Sequence, residues 1–205
     1  MIPNPTEGVR YSLVIPVYNE EAVLPLLLHR LNTLLAQLDA KAEAIFVDDG
    51  SRDTSSIILE AKAKDDPRIR FIRLSRNFGH QIAITAGMDV AAGDAIIVMD
   101  ADLQDPPEVI LEMIARWKEG YDIVQARRLS RDGESAFKKK TAAIFYRLLG
   151  KLSSIDIPRD VGDFRLIDRK VLEAFQAMPE RDRFVRGMFA WLGFRQCEVA
   201  FHRPA

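Results

Sequence analysis

The sequence predicts an α/β domain: a mostly parallel central sheet with helices on both faces, folded as one unit. Two observations carry that prediction. Short β-branched runs alternate with helical segments through residues 1–126, as strand–helix–strand crossovers do. Polar clusters also recur just past the end of each run, where an open α/β sheet binds its ligands.

Tyr11–Val17 is the first strand, and Glu20–Leu38 follows as a helix because Val23, Leu27, Leu31, Leu34, Leu35 and Leu38 recur at helical spacing. The unit repeats as Ala42–Val47 with Thr54–Lys64, Ile69–Leu74 with Gln81–Ala92, and Ala95–Met99 with Pro107–Lys118, and Asp122–Ala126 closes the series. Pro106-Pro107-Glu108 starts its helix well, since Pro is pre-set for the first turn and Glu favours the positive end of the dipole. After residue 127 the rhythm changes. Ser130–Ser135 is a polar loop and Phe137–Leu152 a helix with a basic face, followed by a short strand, two helices and a last strand at Phe194–His202. No repeat and no Pro-, Gly- or Ser-rich linker divides the chain, so residues 1–205 read as one domain with a modified second half.

With 205 residues, 48% of them hydrophobic, the chain can bury one full core. A single cysteine excludes a disulfide-stapled scaffold, and Cys197 reads as a small buried thiol beside a strand. The net charge of −1 hides a division. Residues 1–126 carry 12 basic and 20 acidic side chains, and residues 127–205 carry 17 and 10. A basic second half suits an anionic partner, although a solvated surface accounts for the same charges. No stacking aromatics interleave with the basic residues, which argues against nucleic acid. Met1–Arg10 lacks the features of a signal peptide, and no run approaches the roughly 20 apolar residues of a spanning helix. The expectation is a cytoplasmic chain with no segment crossing a bilayer.

Five polar clusters lie on the predicted rim: Pro16-Val17-Tyr18-Asn19-Glu20, Asp48-Asp49-Gly50-Ser51, Ser75–His80 with Asn77, Asp100-Ala101-Asp102-Leu103-Gln104, and Arg127-Arg128. Alternate residues of an extended chain point the same way, so Asp100 and Asp102 can address one point. Two crowded carboxylates call for a positive partner, and a hard divalent cation, Mg²⁺ or Mn²⁺, with a share of a diphosphate meets that demand. An acidic turn in which Asp102 or Asp105 caps the next helix is the simpler alternative. Neither a dinucleotide fingerprint nor a P-loop is present, which excludes a dehydrogenase of the usual kind. His80 sits by the rim, His29 and His202 do not, and Trp117 and Trp191 fall among apolar neighbours as core residues.

The segments Val14–Glu20, Val47–Asp53, Asp100–Glu108 and Gly162-Asp163-Phe164-Arg165-Leu166, in order and at natural spacing, resemble the inverting family 2 glycosyltransferases of GT-A fold. Within that family they are most similar to the polyprenyl-phosphate glycosyltransferases. The resemblance implies a nucleotide-sugar-binding half, residues 1–126, and an acceptor-binding half, residues 127–205. It implies that Pro16, Tyr18, Glu20, Asp49, Asn77 and Ala101 line the nucleotide-sugar pocket, that Asp48 binds the base, and that Asp100 touches ribose or sugar. Asp102 and Gln104 would hold the metal, Asp163 would act near the acceptor, and Arg127, Arg131 and Arg165 would meet its phosphate. Relatives of this kind usually continue into membrane-spanning helices.

The reaction so implied is a single displacement at the anomeric carbon, with Asp102 and Asp163 as the catalytic carboxylates. A phosphate acceptor is largely a dianion at neutral pH and needs no strong base, whereas a sugar hydroxyl would require Asp163 as a true base. An ion pair of Asp163 with Arg165 or Arg169 is the structural alternative. Phe137–Leu152 pairs an apolar stripe with Lys138, Lys139, Lys140, Arg147 and Lys151, as in a helix on an anionic membrane surface or an ordinary core-facing helix. The leading expectation is transfer from a nucleotide sugar to a polyprenyl phosphate, peripherally at the inner membrane face, with a homo-oligomer compatible. A polysaccharide or other sugar hydroxyl acceptor, and a non-catalytic nucleotide-binding or membrane-docking module, are the alternatives.

Overall fold

The computed structural model describes residues 8–129, 161–180 and 183–202. Among them seven strands form one sheet: β1 (Tyr11–Val17), β2 (Ala42–Asp48), β3 (Ile69–Arg73), β4 (Ala95–Val98), β5 (Ile123–Arg128), β6 (Val161–Asp168) and β7 (Gln196–Phe201). The helices are α1 (Leu24–Gln37), α2 (Ser55–Asp65), α3 (His80–Val90), α4 (Val109–Lys118), α5 (Arg169–Gln176) and α6 (Val185–Trp191). The order across the sheet is β3-β2-β1-β4-β6-β5-β7, and every pairing is parallel except those of β6, which runs antiparallel to both neighbours. The expected mostly parallel sheet is therefore observed, with one reversed strand inserted in it.

Strand alternation divides the core cleanly. Leu13, Ile15, Phe46, Ile97 and Leu166 pack with α1 and α4 on one face, and Val14, Ile45, Val47, Ile96 and Ile167 pack with α3, α5 and α6 on the other. β1 is buried at every position, as a central strand covered on both faces must be. The α1 helix begins at Leu24 rather than Glu20, because Asn19 takes a positive φ of 56° and the chain first turns through Glu20, whose carbonyl accepts from the N–H groups of Val23 and Leu24. Pro106 and Pro107 open α4 as a turn before Val109.

Trp191 departs from expectation. It is 62% exposed, since the buried face of α6 carries Val185, Met188 and Phe189 and the tryptophan points away from it. Trp117 is half-buried and donates its indole N–H to Asp168. Cys197 is partly buried on β7, and burial raises its thiol pKa. Among the described residues no helix is long and apolar enough to cross a membrane. The Ser130–Ser135 loop, the Phe137–Leu152 helix and Arg131 lie outside the described residues.

Opposite the rim, Glu43 locks three strands together. Its Oε1 accepts from Ser12 Oγ on β1 and the Ala92 N–H, and its Oε2 from Arg70 on β3 at 2.8 Å, with both charged partners almost fully buried. Removing one member of a buried pair strands the other's charge. Glu43→Ala is expected to destabilise the domain by about 3–5 kcal/mol, read as a lowered urea midpoint.

Candidate active site

The parallel strands β1, β2 and β4 end on one side of the sheet, and a cleft of about 400 Å³ opens there. β1 has β2 on one side and β4 on the other, so the cleft sits at the switch point of the strand order. Pro16 lines it from the end of β1, Tyr18 and Glu20 from the turn that follows, Asp49 from just past β2, Asn77 and Gly79 from the segment before α3, and His80 from the first position of α3. Asp100, Ala101 and Asp102 complete it after β4.

The turn after β2 shapes the cleft through backbone geometry. Asp48 is fully buried, its Oδ1 accepting from the Ser51 N–H and its Oδ2 from Ser56 Oγ, so it secures the turn rather than facing the cleft. That corrects the expectation that Asp48 binds a base directly: Asp49 is the cleft-lining carboxylate of the pair. Asp49 accepts from the N–H groups of Phe78 and Gly79 and so pins the next loop. Gly50, at φ +72°, lets that loop press against it, because a Cβ here would come within 2.5 Å of the Arg76 carbonyl carbon.

Asp100 and Asp102 share the cleft, but not as alternate residues of a strand. β4 ends at Val98, and the two lie in a turn closed by the Gln104 N–H on Asp102 Oδ1, with Leu103 at φ +59°. No side chain caps α4, so neither Asp102 nor Asp105 serves as a helix cap. Burial first, then the charges of Asp102, Asp53 and Asp100, raise the pKa of Glu20. Burial and the nearby Asp100 and Asp102 push Asp105 up to about 6, against the opposing charge of Arg128. Gln104 is not among the cleft-lining residues.

The reversed direction of β6 brings the third carboxylate. In the β4·β6 register Val98 faces Arg165, so continuing by two residues sets Asp163 opposite Asp100. Asp163 is only 4% exposed. His80 Nε2 lies 3.2 Å from its Oδ2, Gln81 Nε2 donates at 3.3 Å, and Arg186 forks onto both oxygens at 2.9 and 3.0 Å. Burial would raise the Asp163 pKa, yet the hydrogen bonds from His80 and Arg186 and the charges of Arg186 and Arg165 hold it far below the usual carboxylate range. His80, which also stands 3.4 Å from Asp100, is raised chiefly by its hydrogen bond to Asp163.

Of the basic residues expected near an acceptor phosphate, Arg165 is 2% exposed and spends its guanidinium on the Gly162 and Asp163 carbonyls and on Asp163 Oδ1. Arg127 pairs with Glu198 of β7 at 2.8 Å and does not line the cleft. Arg169 donates to the carbonyls of Ala91 and Gly93 rather than to Asp163. The structure instead brings Arg186 and His80 to Asp163. Their juxtaposition depends on packing between α3 and α6, which adjacent-residue motifs do not record; a lone Arg in a short helix gave no signal.

Sheet and rim together define a glycosyltransferase domain of the GT-A class. A mannosyltransferase from Pyrobaculum calidifontis, solved with GDP-Man and Mn²⁺, has the same fold, with a TM-score of 0.64 at 20% identity over 98% of this chain and 58% of that one. The chain belongs to glycosyl transferase family 2, whose sequence profile matches residues 12–175. An uncharacterised glycosyltransferase of Bacillus subtilis (strain 168) is 55% identical over 195 residues, 95% of this chain and 60% of its own length. A prophage bactoprenol glucosyl transferase homologue of Escherichia coli (strain K12) is 42% identical over 195 residues, again 95% of this chain and 64% of its own. The chain thus spans under two thirds of the length of these curated relatives.

Because the folded pKa of His80 is raised above 6.5, its ion pair with Asp163 contributes fully below the unfolded value and is lost as pH rises through the folded one. NMR titration of the His80 imidazole is expected to show that raised pKa and a clear fall in Asp163→Asn, where burial remains and the carboxylate is gone.

Proposed function

We propose that this domain transfers a sugar, with inversion, from a nucleotide sugar to the phosphate of a polyprenyl phosphate at a membrane surface, using a divalent cation. The observation that carries the proposal is the pairing, across one rim, of an acidic donor cleft with a carboxylate clamped by cations. Resemblance to a bactoprenol glucosyl transferase homologue supports the same acceptor class. Residues 1–126 would supply the donor cleft, and the second half would supply Asp163 and Arg186.

The cation fits the donor set. Asp100 and Asp102 offer only oxygen donors, and burial first, then neighbouring carboxylates, raises the pKa of Glu20 and Asp100. Asp100 Oδ1 is buried and, among the described residues, accepts no hydrogen bond. A carboxylate oxygen left without a hydrogen bond beside Asp102 suits Mg²⁺ or Mn²⁺. Asp102 would hold the ion, which when bound would offset charge on the departing diphosphate.

Tyr18, Asn77 and Asp49 form the walls that receive the nucleoside, and Asp100 faces the sugar. The acceptor phosphate oxygen forms the new bond to the anomeric carbon from the face opposite the diphosphate, and the old carbon–oxygen bond breaks with its electron pair leaving on the diphosphate. Asp163 is a poor base, because its hydrogen bonds and cationic neighbours stabilise the ionised form. It orients the groups around it. An acceptor phosphate, already largely ionised with a second pKa of about 6, has no proton that must be removed at pH 7.

Incubating the chain with labelled nucleotide sugars and undecaprenyl phosphate in detergent is expected to give a lipid-linked product that chelator abolishes. Asp102→Ala should lower kcat/KM by about 100-fold or more, the scale of losing several kcal/mol of charge stabilisation. Transfer to a polysaccharide or other sugar hydroxyl but not to the lipid phosphate would overturn the acceptor assignment.

A further inference from the structure

We propose that Arg186, with His80 beside it, is the grip for the phosphate monoester of the acceptor, a role that the family resemblance implies for Arg127, Arg131 and Arg165. The assignment rests on the transferase reading above and deepens it.

Arg165 and Arg186 reach the same carboxylate from different sides. Arg165 comes from β6 itself, lies within the sheet, and has its guanidinium 5.4 Å from the Phe189 ring centroid, with no solvent-facing surface to offer an incoming anion. Arg186 comes from α6 and remains 44% exposed while its Nε and Nη2 edge is fixed on Asp163. His80 is 43% exposed and belongs to the lining of the donor cleft. The groups therefore run in a row, from Asp100 in the cleft through His80 and Asp163 to Arg186, so a phosphate resting against Arg186 would adjoin the sugar end of the donor.

Charge and shape favour that position. Two guanidinium groups share the carboxylate of Asp163, and His80 stands between it and Asp100. The planar Arg fork matches phosphate oxygens, and a fork already held by Asp163 loses less freedom when it binds. Arg127, the other described arginine expected near the acceptor phosphate, is engaged with Glu198. Gln81 ties the arrangement together, donating to Asp163 while its Oε1 accepts from the Val185 N–H at the start of α6.

The test titrates the full chain calorimetrically with farnesyl phosphate, with farnesol and inorganic phosphate as controls and a nucleoside diphosphate as a second ligand, beside steady-state transfer to undecaprenyl phosphate. Wild type is expected to bind farnesyl phosphate and not farnesol. Arg186→Gln should weaken that binding, and raise KM for the lipid acceptor, by about 10- to 100-fold, the worth of a charged hydrogen bond. Its kcat and nucleoside diphosphate affinity should stay within about threefold, and Arg186→Lys should recover part of the loss. Unchanged farnesyl phosphate binding in Arg186→Gln would overturn the inference, as would a fall in kcat with KM unmoved, which would make Arg186 a support for Asp163 alone. Failure of wild type to bind farnesyl phosphate also overturns it, and equal binding of inorganic phosphate would show that the grip reads free phosphate rather than a lipid phosphate. Arg186-dependent binding of farnesyl phosphate without transfer of any sugar would sink the transferase reading and leave the grip standing. Transfer with an unaltered acceptor KM in Arg186→Gln would do the reverse.

Discussion

The antiparallel pairing of β6 with β4 is the constraint on which the rim depends. In a purely parallel sheet the residue opposite Asp100 would be the end of another strand. Reversal places the beginning of β6 there instead, and with it Asp163, two residues beyond the Val98–Arg165 register pair. The same strand carries Arg165 into the sheet directly behind Asp163. Its far end, at Asp168, caps α5 by accepting from the Lys170 N–H, so one strand fixes both the site and the helix that follows.

The rim then separates charge over a short distance. On the donor side, burial first and neighbouring carboxylates second raise the pKa of Glu20, Asp100 and Asp105, so folding holds these acids at an electrostatic cost. On the other side, Asp163 is over-supplied with cations. The imbalance is what a site for a cation-bound diphosphate beside an anionic acceptor requires, since each ligand completes the charge of its own half.

Much of this architecture was legible in the sequence, for physical reasons. The first five strands sit where β-branched runs stood because a strand buried on both faces must be apolar throughout, and β1 is. Helix α1 follows the 3.6-residue period at Leu24, Leu27, Leu31, Leu34 and Leu35, and α4 does so at Ile110, Met113 and Ile114. What local pattern could not show was direction and depth. Nothing in Gly162–Leu166 states that its strand runs backwards, so the burial of Arg165 and the approach of Arg186 from α6 were hidden. Asp48 and Asp49 are adjacent and chemically alike, and only the turn geometry decides that the first is consumed by Ser51 and Ser56 while the second lines the cleft. Trp191 was misplaced because apolar neighbours in sequence lie on the opposite face of so short a helix.

Asp163 cannot serve both as the clamp seen here and as a strong base. A base must gain from taking a proton, and protonating Asp163 would weaken its hydrogen bonds from Arg186 and His80 and leave Arg165 facing a neutral group inside the sheet. The lower a carboxylate's pKa is held, the smaller its driving force to accept a proton near neutral pH. A hydroxyl acceptor would need that driving force; a phosphate dianion needs only a fixed direction of approach and an offset for its charge. The arrangement around Asp163 supplies both, because the interactions that spoil its basicity are the ones that fix Arg186 and His80 in place. On the proposed reading, the choice of a phosphate acceptor and the ionisation of this one carboxylate both follow from the packing between β6, α3 and α6.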